Sequence, residues 1–70
     1  MMPLSLADRG IPQTVKHVGG NREVRQHLEN LGFTAGSEVC VISTLGGNVI
    51  VSVKESRVAI SEELARRIMV

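Results

Sequence analysis

The hydrophobic pattern changes from helical to strand spacing near the middle of the chain. Val24, Leu28 and Leu31 recur at intervals of three or four residues, which places them on one face of a helix. Val39 and Val41 are separated by a single residue, as in a strand with one buried face. The chain therefore contains a helix and a strand joined by a short connection.

Two glycines mark this connection. The helix is predicted over 22–30 with Leu31 as its last half-helical residue, and Gly32 comes next; it can adopt the left-handed conformation that ends many helices because it has no Cβ. Phe33 then takes the position at which a Schellman motif places an apolar residue, so we expect it to fold back towards Leu28. Gly36 allows a second turn with positive φ just before the strand.

Alternating apolar residues predict four strands, and tight turns join the last three. The strands are expected over 13–18, 38–44, 48–53 and 57–60. Val15 and Val18 are three residues apart, which breaks the alternation and predicts a bulge in the first strand. Leu45-Gly46-Gly47 is a hairpin signal between the second and third strands.

The two ends of the chain are predicted to complete the core. Ser61 is a favourable helix N-cap, and the acidic residues 62–63 after it suit the first turn of a short helix. We expect 68–70 to follow as a terminal strand. In the N-terminal arm, Leu4 and Leu6 are expected to cover one end of the core.

These elements together predict a mainly β fold, a small barrel of about five strands with two helical additions. One helix is inserted after the first strand, and a short helical turn lies near the C-terminus. Closing the sheet would hide strand edges that so small a chain has little other means to protect. We expect residues 1–70 to form a single domain.

The amino-acid composition and net charge disfavour several classes of function. A hydrophobic fraction of 43% with 21% charged residues is typical of a packed globular chain. Eight basic and seven acidic residues give a net charge of +1, which provides little field to attract nucleic acid or anionic lipid. The lone Cys40 cannot form an internal disulfide, and no leader or 18-residue apolar run is present. We therefore expect a cytoplasmic protein that does not insert into membranes.

Metal binding is an alternative hypothesis with few candidate ligands. His17, His27 and Cys40 are the only histidine and cysteine residues, whereas a structural zinc site takes four such ligands. The spacing favours solvated histidines and a cysteine that packs as a small strand residue. A weak surface site for Fe²⁺ or Zn²⁺, in which His17 or His27 bridges two copies in a homodimer, remains the alternative.

Catalysis and nucleic-acid binding receive little support from the motifs. No serine or cysteine lies in a nucleophile elbow, and the glycines of 18–22 lack the Lys-Ser/Thr of a phosphate-binding loop. Phe33 is the sole aromatic residue, so the chain cannot stack several bases or line a groove for proline-rich peptides. We expect no enzyme activity, and a nucleic-acid-binding barrel is a further alternative.

Contact with another protein is the remaining class of function. The hairpin and the apolar residues left outside the predicted core are the candidate contact surfaces. The candidate partner-binding residues are Leu45, Gly46, Gly47, Ile42 and Ile50, and Met69 is a further apolar residue of this kind.

The segment from Arg25 to Val41 reads Arg-x-x-Leu-x-x-Leu-Gly-Phe-Thr-x-Gly-x-x-Val-x-Val, and it resembles the signature of the ferrous iron transport protein A family. The likeness covers nearly the whole chain and implies an SH3-like barrel with a helical insertion. It also implies a cytoplasmic accessory factor of bacterial ferrous iron uptake, acting with a polytopic membrane transporter that carries a GTPase domain. The family supplies no catalytic residues to carry over. Ala35 replaces a proline frequent in the family.

Overall fold

The computed structural model describes all 70 residues, Met1–Val70, and confirms the mainly β architecture. Six strands, two α-helices and a 3₁₀ turn follow one another along the chain. They are the 3₁₀ turn Leu4–Leu6, β1 Gln13–Thr14, β2 His17–Val18, α1 Arg22–Asn30, β3 Glu38–Leu45, β4 Asn48–Val53, β5 Ser56–Ser61, α2 Glu62–Ala65 and β6 Ile68–Met69. The strands form an antiparallel sheet in the order β1-β3-β4-β5 and a second antiparallel sheet of β2 and β6.

The strand predicted over 13–18 is divided between the two sheets. Gln13 lies opposite Val39 in the larger sheet, whereas His17 lies opposite Met69 in the smaller one. Between them Val15 is buried, and its N–H donates to the carbonyl of Ser37 at 2.8 Å. The irregular valine spacing thus marks the point at which the chain passes from one sheet to the other.

Helix α1 begins and ends as its sequence predicts. The Asn21 side chain accepts a 2.8 Å hydrogen bond from the Val24 N–H, which caps the first turn. At the other end the Phe33 N–H donates to the Leu28 carbonyl at 3.0 Å, which is the long-range bond of a Schellman motif. Gly32 has φ +108°, and the Phe33 ring is fully buried. The helix end is therefore fixed to the core.

Thirteen apolar residues from both sheets, both helices and the two chain ends form one buried cluster. They are Leu4, Val15, Leu28, Phe33, Val39, Val41, Val49, Val51, Val53, Ile60, Ala65, Ile68 and Val70. The N-terminal arm contributes Leu4 to this cluster, but Leu6 is 70% exposed, contrary to expectation. The 3₁₀ turn explains the difference, because its tight winding points successive side chains in different directions.

A bulge in β3 determines which side chains of the hairpin face solvent. Val41 pairs with Val51 and Ser43 pairs with Ile50, so Ile42 is an extra residue in β3. Regular alternation from Val41 would turn Leu45 towards the core, because the two are four residues apart. The bulge reverses the alternation, and Leu45 is 74% exposed.

Neither α1 nor α2 is long and apolar enough to span a lipid bilayer.

Candidate protein docking site

The β3–β4 hairpin presents an exposed leucine next to a two-residue turn. Leu45 and Asn48 pair across the two-residue turn Gly46-Gly47, whose φ angles are +56° and +83°. Positive φ at both central residues is the requirement of a type I′ turn, and glycine meets it without steric cost. The turn therefore places Leu45 in the last pair of the β3–β4 ladder, opposite Asn48.

A hydrogen bond ties the tip of the hairpin to α2. The Glu62 N–H, at the start of α2, donates to the Gly47 carbonyl at 3.0 Å. The same helix end is capped by Ser61, whose hydroxyl accepts from the Leu64 N–H at 3.1 Å. Ser61 also lies opposite Asn48 in the β4–β5 ladder. The hairpin tip and the first turn of α2 thus form one unit.

An open cleft of about 310 Å³ lies between the hairpin tip, the 3₁₀ turn and α2. We call it the hairpin cleft, and it is lined by Ser5, Thr44, Leu45, Gly46, Gly47, Asn48, Val49 and Glu62. Val49 is nearly fully buried and forms the apolar floor. The exposed side chain of Leu45 provides aliphatic surface at the cleft.

Glu62 is the single charged residue that lines the hairpin cleft. Its Oε1 atom accepts a 2.8 Å hydrogen bond from Nη2 of Arg66, one helical turn further on. Both side chains are more than half exposed, so water screens this ion pair and it contributes little to stability. The carboxylate therefore remains available to a second cation.

A FeoA domain family model matches residues 2–70. The chain belongs to the FeoA domain family. It is 39% identical to Fe(2+) transport protein A of Methanocaldococcus jannaschii over 70 residues, which are 100% of this chain and 85% of that protein. The relationship thus includes every element described above.

Two solved structures show that other FeoA proteins share the fold. One, described as the iron uptake regulatory protein FeoA, is 33% identical with a TM-score of 0.89, and the alignment covers 97% of this chain and 92% of that chain. The zinc complex of Stenotrophomonas maltophilia FeoA is 27% identical with a TM-score of 0.85, covering 99% and 88%. That protein is described as an SH3 domain protein, in agreement with the SH3-like barrel implied by the sequence resemblance.

The candidate partner-binding residues of this FeoA chain lie in two places. Leu45, Gly46 and Gly47 line the hairpin cleft, whereas Ile42 and Ile50 are half-buried in β3 and β4 and do not line it. Neither Ser5 nor Glu62 was predicted to lie beside the hairpin. Ser5 and Glu62 come close to the hairpin only in the folded chain, and no local sequence motif indicates this contact.

The candidate metal ligands of the FeoA chain are dispersed on its surface. His17 is exposed on β2, and His27 is exposed in the last turn of α1. Cys40 is half-buried in β3 and forms no disulfide. No three or more histidine, cysteine or acidic side chains come together in a way that could hold a metal ion. A metal site at His17 or His27 remains a prediction that requires ligands from a second copy.

Proposed function

We propose that this FeoA chain is a non-enzymatic accessory protein of ferrous iron uptake, which acts in the cytoplasm on a membrane transporter that carries a GTPase domain. The family match over residues 2–70 and the 39% identity to an Fe(2+) transport protein A support a role in iron transport. The S. maltophilia relative has been put forward as a ferrous iron transport activating factor, which supports an accessory role.

The exposed Leu45 side chain is the observation that carries the docking proposal. A leucine that is 74% exposed, beside a turn that the Glu62–Gly47 hydrogen bond ties to α2, offers apolar surface with little backbone ordering cost on binding. Full burial of a leucine side chain is worth about 1.5–3 kcal/mol, so this residue alone can supply a substantial part of the affinity for a partner. We assign the hairpin cleft as the docking surface.

Binding and transport measurements on the same transporter test this function. The labelled chain is titrated against the purified full-length transporter in nanodiscs, and ferrous iron uptake is compared in cells with and without the chain. We expect saturable binding and reduced uptake in the deletion strain. Lack of binding at high micromolar transporter, together with unchanged uptake, would contradict the proposal.

A second candidate function is a metal-bridged pair of copies. The zinc complex of the S. maltophilia relative and the exposure of both His17 and His27 favour it. Imidazole nitrogen is a common ligand of Zn²⁺ and Fe²⁺. We expect Zn²⁺ to shift the gel-filtration elution volume to that of a dimer, and the double substitution His17→Ala and His27→Ala to abolish the shift. An elution volume that does not respond to metal would refute this candidate.

A further inference from the structure

We infer that the hairpin cleft binds a short basic segment of its partner, in which an aliphatic side chain packs against Leu45 and a lysine or arginine pairs with Glu62. The inference rests on the proposed function and specifies which part of a transporter is recognised. Cytoplasmic loops close to membrane helices carry an excess of Lys and Arg. Such loops therefore have the chemistry that this cleft selects.

An exposed large hydrophobic residue provides the apolar part of the binding surface. Four such residues are strongly exposed, namely Met1, Leu6, Ile11 and Leu45. Leu45 is the one of these four that lines the hairpin cleft. An aliphatic side chain placed over Leu45 would remove apolar surface of both partners from water.

The charge of the cleft selects a basic partner over an acidic one. Glu62 is the one charged residue of the lining, and Oε1 is the carboxylate oxygen that contacts Arg66. The second oxygen, Oε2, makes no hydrogen bond or ion pair within the chain. A lysine or arginine of the partner can pair with Oε2 without displacing Arg66, whereas an aspartate or glutamate there would be repelled.

The neutral polar groups of the cleft fit the backbone of a peptide. The hydroxyls of Ser5 and Thr44 and the side-chain amide of Asn48 make no hydrogen bonds within the chain. They offer both donors and acceptors, which a peptide group requires. The Glu62–Gly47 hydrogen bond holds the two walls together before binding, so little order must be gained.

Nuclear magnetic resonance titration of the full chain with two synthetic peptides tests the inference. The probes are acetyl-Lys-Leu-Arg-Leu-Lys-amide and its acidic counterpart acetyl-Glu-Leu-Glu-Leu-Glu-amide. We expect the basic peptide to shift the amide signals of residues that line the hairpin cleft, and the acidic peptide to bind at least about tenfold more weakly, since both the attraction and the repulsion act at Glu62.

Glu62→Gln and Glu63→Gln form a matched pair of variants. Both remove one exposed carboxylate from the first turn of α2, but Glu63 does not line the cleft. We expect Glu62→Gln to weaken binding of the basic peptide about fivefold and Glu63→Gln to leave it nearly unchanged, because a charge pair in partial contact with solvent has this order of effect. Equal effects of the two variants, shifts outside the cleft, or equal binding of the two peptides would overturn the inference.

The same variants separate this inference from the proposed function. If the full-length transporter binds the wild-type chain and the Glu62→Gln variant equally well, the basic-segment inference is wrong and the accessory function stands. If the transporter does not bind the wild-type chain, the proposed function itself is wrong.

Discussion

Replacement of Gly32 by alanine tests whether the helix-to-strand connection is held by packing as well as by backbone conformation. The φ angle of +108° lies where residues with a Cβ are strained, at a cost of about 1–2 kcal/mol. A Cβ at this position would also lie 3.3 Å from Cγ2 of Val53 and 3.5 Å from Cδ of Lys54. Val53 is 1% exposed, so it has little room to yield.

Gly36 provides the matched control for this substitution. Its φ angle is +92°, yet no atom lies within 4 Å of the Cβ that alanine would add. Gly36→Ala should therefore cost the backbone term of about 1–2 kcal/mol alone. Gly32→Ala should cost about 2–5 kcal/mol, since crowding of a packed core adds about 1–3 kcal/mol to the backbone term. A domain of this size has about 3–5 kcal/mol of stability, so the Gly32 variant should be largely unfolded near body temperature.

Urea unfolding followed by far-ultraviolet circular dichroism measures both variants. The chain has no tryptophan or tyrosine, so circular dichroism replaces intrinsic fluorescence. We expect the midpoint to fall in the order wild type, Gly36→Ala, Gly32→Ala, with an unchanged slope. Equal losses in the two variants would show that contact with Val53 carries no energy and would refute the packing argument.

Two further predictions concern local backbone features. Lys54 and Glu55 in the β4–β5 turn both have positive φ, +49° and +65°, which strains a residue with a Cβ. Glu55→Gly should therefore stabilise the protein by about 1 kcal/mol in urea unfolding. A urea midpoint below that of the wild type would contradict the assigned strain. Asn21→Ala removes the cap on the Val24 N–H and should cost about 1 kcal/mol, whereas Asn21→Asp should retain most of the stability. Equal losses for both Asn21 variants would show that the side-chain oxygen is not what stabilises the helix.

Features determined by neighbouring residues were predictable from the sequence. The end of α1 follows from Gly32 and Phe33 together, because the bonds of a Schellman motif join residues within six positions. The cap at Ser61 is equally local. The same applies to the Gly46-Gly47 turn, since its conformation is set by the two residues themselves.

Features that depend on distant contacts were not predictable in the same way. The bulge at Ile42 arises from the register between β3 and β4, and hydrophobic spacing alone does not reveal which residue is extra. The exposure of Leu45 depends on that bulge. Glu62 was recognised as a first-turn acid, but its place in the hairpin cleft depends on the Gly47 hydrogen bond across the fold. The hairpin part of the candidate site was thus predictable from the sequence, whereas the position of Glu62 in the hairpin cleft was not.

Binding of the full-length transporter to the Leu45→Ser variant is the most direct test of the proposed docking surface. Ile11→Ser is the control, because Ile11 is also an exposed aliphatic residue, 50% exposed, but it does not line the hairpin cleft. Loss of about 1.5 kcal/mol of apolar burial should weaken transporter binding about tenfold for Leu45→Ser. We expect wild-type affinity for Ile11→Ser, and equal affinity of all three proteins would contradict docking through the hairpin cleft.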